Sequence, residues 1–88
     1  MNNILKSLKA ENSAANKYLL STQKFLANGN RKLAISMFDI ANCAVACANK
    51  LHDALWSSSN GDLNNEEFEA FCKAEENNNV LRTLGKQF

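Results

Sequence analysis

Apolar positions recur along this chain with the period of an α-helix, in three blocks. In the first, about residues 3–27, Ile4, Leu8, Ala15, Tyr18, Leu19, Thr22, Phe25 and Leu26 share one face. At about 100° per residue they fall within roughly 120°, the width of a core-facing stripe. Lys6, Lys17 and Lys24 gather on the opposite side. Glu11 lands inside the stripe beside Asn12 and Ser13, and Ser13 suits an N-cap. The spacing leaves open whether this first helix bends there or starts afresh after Ala10.

Asn28-Gly29-Asn30 reads as a tight turn, with Gly29 in the left-handed position after one helix and Asn30 capping the next. The second block, about residues 31–56, carries Leu33, Met37, Ile40, Ala44, Cys47, Leu51 and Ala54 in heptad-like 4-3 steps. A second stripe lies beside it: Ala34, Phe38, Ala41, Val45, Ala48 and Leu55. Ser36, Asp39, Asn42, Asn49, Lys50 and Asp53 mark the solvent side. Residues 57–61, Ser-Ser-Ser-Asn-Gly, read as a loop. Asn64 with Glu67 then makes a capping-box start for a third helix, about residues 65–76, whose apolar edge is Phe68, Phe71 and Cys72. Asn77-Asn78-Asn79 interrupts it, and Val80–Leu84 forms a candidate fourth short helix stopped by Gly85. Leu81, Leu84 and Phe88, in the segment 77–88, either cap the bundle or dock on a partner. The expected fold is all-α: a small antiparallel three-helix bundle, with that short fourth helix as an open addition.

Composition agrees with this pattern. The chain has 88 residues, no proline and three glycines, so it has few forced breaks and makes one domain. β-branched residues are too scarce for a sheet.

The hairpin from Tyr18 to Ala41 resembles a tetratricopeptide-type helical pair, and also the hairpin of microtubule-interacting-and-transport domains. The residues that carry the likeness are Tyr18, Phe25, Gly29, Ala34, Phe38 and Ala41. Aromatics on one helix face alanines on the other, and the glycine makes the turn. Ser21 and Thr22 depart from the repeat pattern, the second helix runs on through Ala46 to Trp56, and no second copy follows. We read the likeness as convergent packing; kinship would imply a peptide- or helix-binding adaptor.

Net charge is +1 overall but is unevenly placed. Residues 1–50 hold Lys6, Lys9, Lys17, Lys24, Arg31, Lys32 and Lys50 against Glu11 and Asp39, a balance of +5. Residues 51–88 balance at −4. Such asymmetry serves intramolecular docking or a charged partner. Three cysteines cannot all pair within the chain, and Cys43 and Cys47 stand one helical turn apart, so reduced thiols and a cytoplasmic setting are expected. No signal-peptide core or membrane-length apolar run is visible, and we read Met1 as the start of a complete natural chain. Fourteen asparagines in a proline-free chain resemble the composition of small accessory proteins of AT-rich bacteriophages.

Several constellations invite chemistry. Residues 58–68 resemble the latter part of an EF-hand loop, with Gly61 at the turn, Leu63 as the apolar position and Glu67 as the bidentate ligand. The first ligand position falls on Trp56, which has no oxygen to give. We therefore read a loop with a capping box. Cys43 and Cys47 share a helix side, but His52 lies about 180° from Cys43, so the three do not converge on an ion; Cys47 is read as a small core residue. His52 beside Asp53 is not read as a catalytic dyad, since helix neighbours point about 100° apart. No nucleophile motif or phosphate-binding loop is present, so we expect no enzyme, no cofactor and no metal.

The expected function is protein binding: an inhibitor, adaptor or regulator, with a defence- or host-directed phage inhibitor or a cytoplasmic antiholin-type lysis regulator as the roles implied by composition. Candidate contact residues are Lys17, Leu20, Lys24, Arg31, Ile35, Leu81, Leu84 and Phe88. Leu20 and Ile35 qualify because each is apolar on a polar side of its helix. Two alternatives stay open: nucleic-acid binding through Lys6, Lys17 and Lys24, and self-assembly as a homo-oligomer.

Overall fold

The computed structural model describes residues 3–88: three α-helices and, among these residues, no strand. Helix α1 spans Asn3–Ala27, α2 spans Arg31–Ser59 and α3 spans Asn65–Gly85. They form a three-helix bundle 44 Å long.

Each boundary has a local cause. Gly29, at φ +76°, closes the first turn, and the Asn30 side chain accepts the Leu33 N–H at 3.2 Å. Asn64 accepts the Glu67 N–H at 2.8 Å, while the Glu67 carboxylate accepts the Asn64 N–H at 3.1 Å, a complete capping box. Three serine- and asparagine-rich points depart from the sequence reading or settle what it left open. First, α2 continues through the serines to Ser59. Ser58 and Ser59 direct their hydroxyls back to the carbonyls of Leu55 and Trp56, and left-handed Asn60 ends the helix. Second, α1 is unbroken at Asn12-Ser13. Asn12 is buried and donates its amide to the Ala70 carbonyl of α3 at 3.0 Å. Third, α3 runs through Asn77-Asn78-Asn79 and absorbs the candidate fourth helix. Asn77 donates to the Asn12 carbonyl at 3.2 Å and Asn78 accepts from Asn49 at 3.3 Å. These asparagines bond to other helices and so stop competing with their own.

The core forms two clusters. One joins Ala15 and Leu19 of α1, Ala41, Ala44 and Val45 of α2, and Leu81 and Leu84 of α3. The other joins Leu8, Ala48, Leu55, Ala70 and Ala74, so the start of α1 meets the end of α2 and the start of α3. Alanine supplies six of the twelve buried residues of the two clusters, which lets the helix axes approach closely. Leu8 and Leu55 are the largest fully buried side chains, each contributing about 1.5–3 kcal/mol through burial. The inward face of α3 is Ala70, Ala74, Asn77, Leu81 and Leu84. Phe68 and Cys72, expected on that face, are exposed, and Phe71 is half-buried.

The C-terminus is stapled to the start of α2. Phe88 packs on Phe38 with ring centroids 5.0 Å apart, and the Arg31 guanidinium lies 5.5 Å from the Phe88 ring centre.

Candidate interaction face

Helix α2 turns its two apolar stripes in different directions. The stripe Ala34, Ala41, Val45, Ala48 and Leu55 is buried. The heptad-like seam is split. Ala44 is buried and Met37 and Leu51 are half-buried, whereas Leu33 (42% exposed), Ile40 (41%) and Cys47 face outward. This corrects the reading of Cys47 as a core residue; Cys43 and Cys72 are exposed too. The seam is wider than one neighbouring helix can cover.

Leu33, Ile40 and Cys47 repeat every seven residues. They therefore form a nearly straight line along α2, with steps of about 10.5 Å and a drift of roughly 20° per step. At its Cys47 end the line opens into a hollow of about 460 Å³ between α1 and α2, lined by Ser7, Ala10, Glu11, Cys47, Lys50 and Leu51. Lys50 lines this hollow; on α1, Lys17 stands about 20° around the helix from Ala10 and two turns further on, its ammonium 5.5 Å from the Tyr18 ring centre. Glu11 is the acidic group within the hollow.

The sequence-derived contact residues do not converge. Lys17, Leu20 and Lys24 of α1 and Ile35 of α2 are exposed as the helical wheel predicts, with Leu20 at 56% and Ile35 at 41%. Ile35, however, lies about 160° around α2 from Leu33. Leu81 and Leu84 are core residues, so the docking-tail reading is corrected in favour of the capping one. Arg31 and Phe88 hold the C-terminus instead: Arg31 donates to the Gln87 carbonyl at 3.3 Å. The charge asymmetry is partly consumed within the fold, since Lys9 of α1 pairs with Glu66 of α3.

The remaining constellations resolve locally. In the EF-hand-like segment, Glu67 closes the capping box and residues 58–59 belong to α2. Among the described residues no three His, Cys, Asp or Glu side chains are grouped to hold a metal ion. His52 and Asp53 touch, with Nδ1 and Oδ1 3.1 Å apart, although helix neighbours point about 100° apart. Among the described residues no helix is long and apolar enough to cross a membrane. Comparison with protein-family models, with curated proteins and with solved structures finds no match.

Proposed function

We propose that this chain is a non-enzymatic protein-binding regulator that docks an acidic amphipathic helix of another protein on the α1/α2 face. One observation carries the reading: a heptad-spaced line of exposed Leu33, Ile40 and Cys47 in the basic half of the chain. A helix laid in a groove is held by apolar anchors at such spacing, while rim charges steer it and fix its register. The basic border selects an acidic partner. It also disfavours a symmetric dimer through this face, because two copies would bring like charges together. The contacts of the start of α1 with the ends of α2 and α3 nearest it fit an antiparallel, up-down-up bundle, in which α3 leaves this face uncovered. By occupying a partner's helix the chain acts as an inhibitor or an adaptor.

Affinity capture from the native host tests this, with the wild-type chain and the charge-reversed pair Lys17→Glu and Lys50→Glu run at low and high salt. The expected result is a protein partner whose recovery falls in the charge-reversed variant and at high salt. Recovery of nucleic acid, with lysine loss at Lys6 and Lys24 abolishing it, would replace this reading by the nucleic-acid one. A dimer by light scattering that survives the charge reversal would replace it by self-assembly.

A further inference from the structure

On the opposite flank of α2, the last turns of that helix and the first turns of α3 border a second, open site with the reverse chemistry. A hollow of about 510 Å³ is lined by His52, Asp53, Trp56, Ser57 and Phe71. Its walls are aromatic. The His52 ring stacks on Phe71 at 3.7 Å and 19°, and Trp56 leans on Phe71 at 5.4 Å and 35°. Trp56 remains half exposed (50%), an unusual placement for the largest apolar side chain in a small bundle. The indole leaves no room for a side chain at Gly61, which sits at φ +79°: a Cβ there would lie 3.1 Å from Cζ2. Asp53 is held by His52 at 3.1 Å while its carboxylate stays largely in solvent. A contiguous hollow of about 340 Å³ adds Glu75 beside Asn49, Asn78 and Asn79. No lysine or arginine lines either hollow.

We propose that this hollow binds an alkylguanidinium cation. An aromatic wall with a carboxylate at its edge attracts an organic cation through the ring quadrupole and through Coulomb attraction. A guanidinium suits it better than an ammonium. It is planar and weakly hydrated, so it stacks on the exposed indole, and it presents N–H donors in a fork that matches the Asp53 carboxylate. The cation comes free or as the side chain of an arginine residue, and the chemistry of recognition is the same. This site is independent of the α1/α2 face, so failure of either proposal leaves the other standing.

Trp56 is the sole tryptophan of the chain, so its fluorescence reports this hollow and nothing else. N-butylguanidinium, titrated into the full chain at low ionic strength, is expected to give a saturable fluorescence change. Agmatine and N-acetyl-arginine-methylamide, representing the free and the residue-borne cation, are expected to follow it. The neutral isostere N-butylurea is expected to give no saturation. Asp53→Asn removes one charge from an exposed position and so folds normally; it is expected to weaken binding about tenfold, the worth of a hydrogen bond to a charged group. Asp39→Asn, an equally conservative change at another exposed acid of α2, is expected to leave the midpoint unchanged. Absence of saturation with all three cations, equal binding of the urea, or equal weakening by the Asp39 and Asp53 variants would each overturn the proposal.

Discussion

The two apolar stripes of α2 have opposite make-up. The inward stripe is mostly small, with Ala34, Ala41, Ala48 and Val45, and carries its bulk at half-buried Phe38 and at Leu55. The outward line is large and branched where it is most exposed, with Leu33 and Ile40. A helix built only for its own bundle would place its bulk inside. Here the alanines set how closely α1 and α3 approach, and two of the larger side chains, Leu33 and Ile40, are left outside. The difference separates residues that hold the fold from large apolar residues that the fold leaves exposed.

That separation is open to measurement. The largest effect is expected inside: Leu55→Ala, at a fully buried position, should lower stability by about 2–5 kcal/mol in urea unfolding. Ala41→Leu should cost about 1–3 kcal/mol, because a fully buried alanine between close helices has no room for three more carbons. Asn77→Ala should cost about 1–3 kcal/mol, since it removes the donor to the Asn12 carbonyl within a buried site. Outside, Leu33→Ser should change stability by about 0.5 kcal/mol or less. A loss there as large as at Leu55 would erase the contrast between the stripes. The mildest probe is chemical: Cys43, Cys47 and Cys72 should all be alkylated in the native state, as counted by mass spectrometry, at rates close to those of the unfolded chain.

Much of the bundle was legible in the pattern of apolar positions. The three helices, the Asn28–Asn30 turn and the Asn64–Glu67 capping box all follow from local rules of spacing and capping. Misreadings cluster on asparagine and serine. Asn12 and Asn77 looked like breaks because their intrinsic preference is for turns. In the fold each finds a partner sixty or so residues away, which no local rule can see. Reading Asn77 as a linker also hid the heptad Ala70, Ala74, Asn77, Leu81 and Leu84, and so turned core leucines into a docking tail. The α2 seam was found, but which half of it faces a neighbour depends on where α3 lies. The aromatic hollow was less visible still. Trp56 and Phe71 stand fifteen residues apart, and only the turn at Asn60-Gly61 brings them together.

Ile35 and Ile40 offer a matched pair for the decisive measurement. They are the same residue type on the same helix, each 41% exposed, and about 140° apart around its axis. Ile35→Asp and Ile40→Asp should melt within a few degrees of one another. In capture from the native host at low salt, Ile40→Asp should lose the partner that Ile35→Asp and the wild type retain. Equal recovery by the two variants, with both folded, would contradict the assignment of the Leu33–Ile40–Cys47 line as the surface this protein works through.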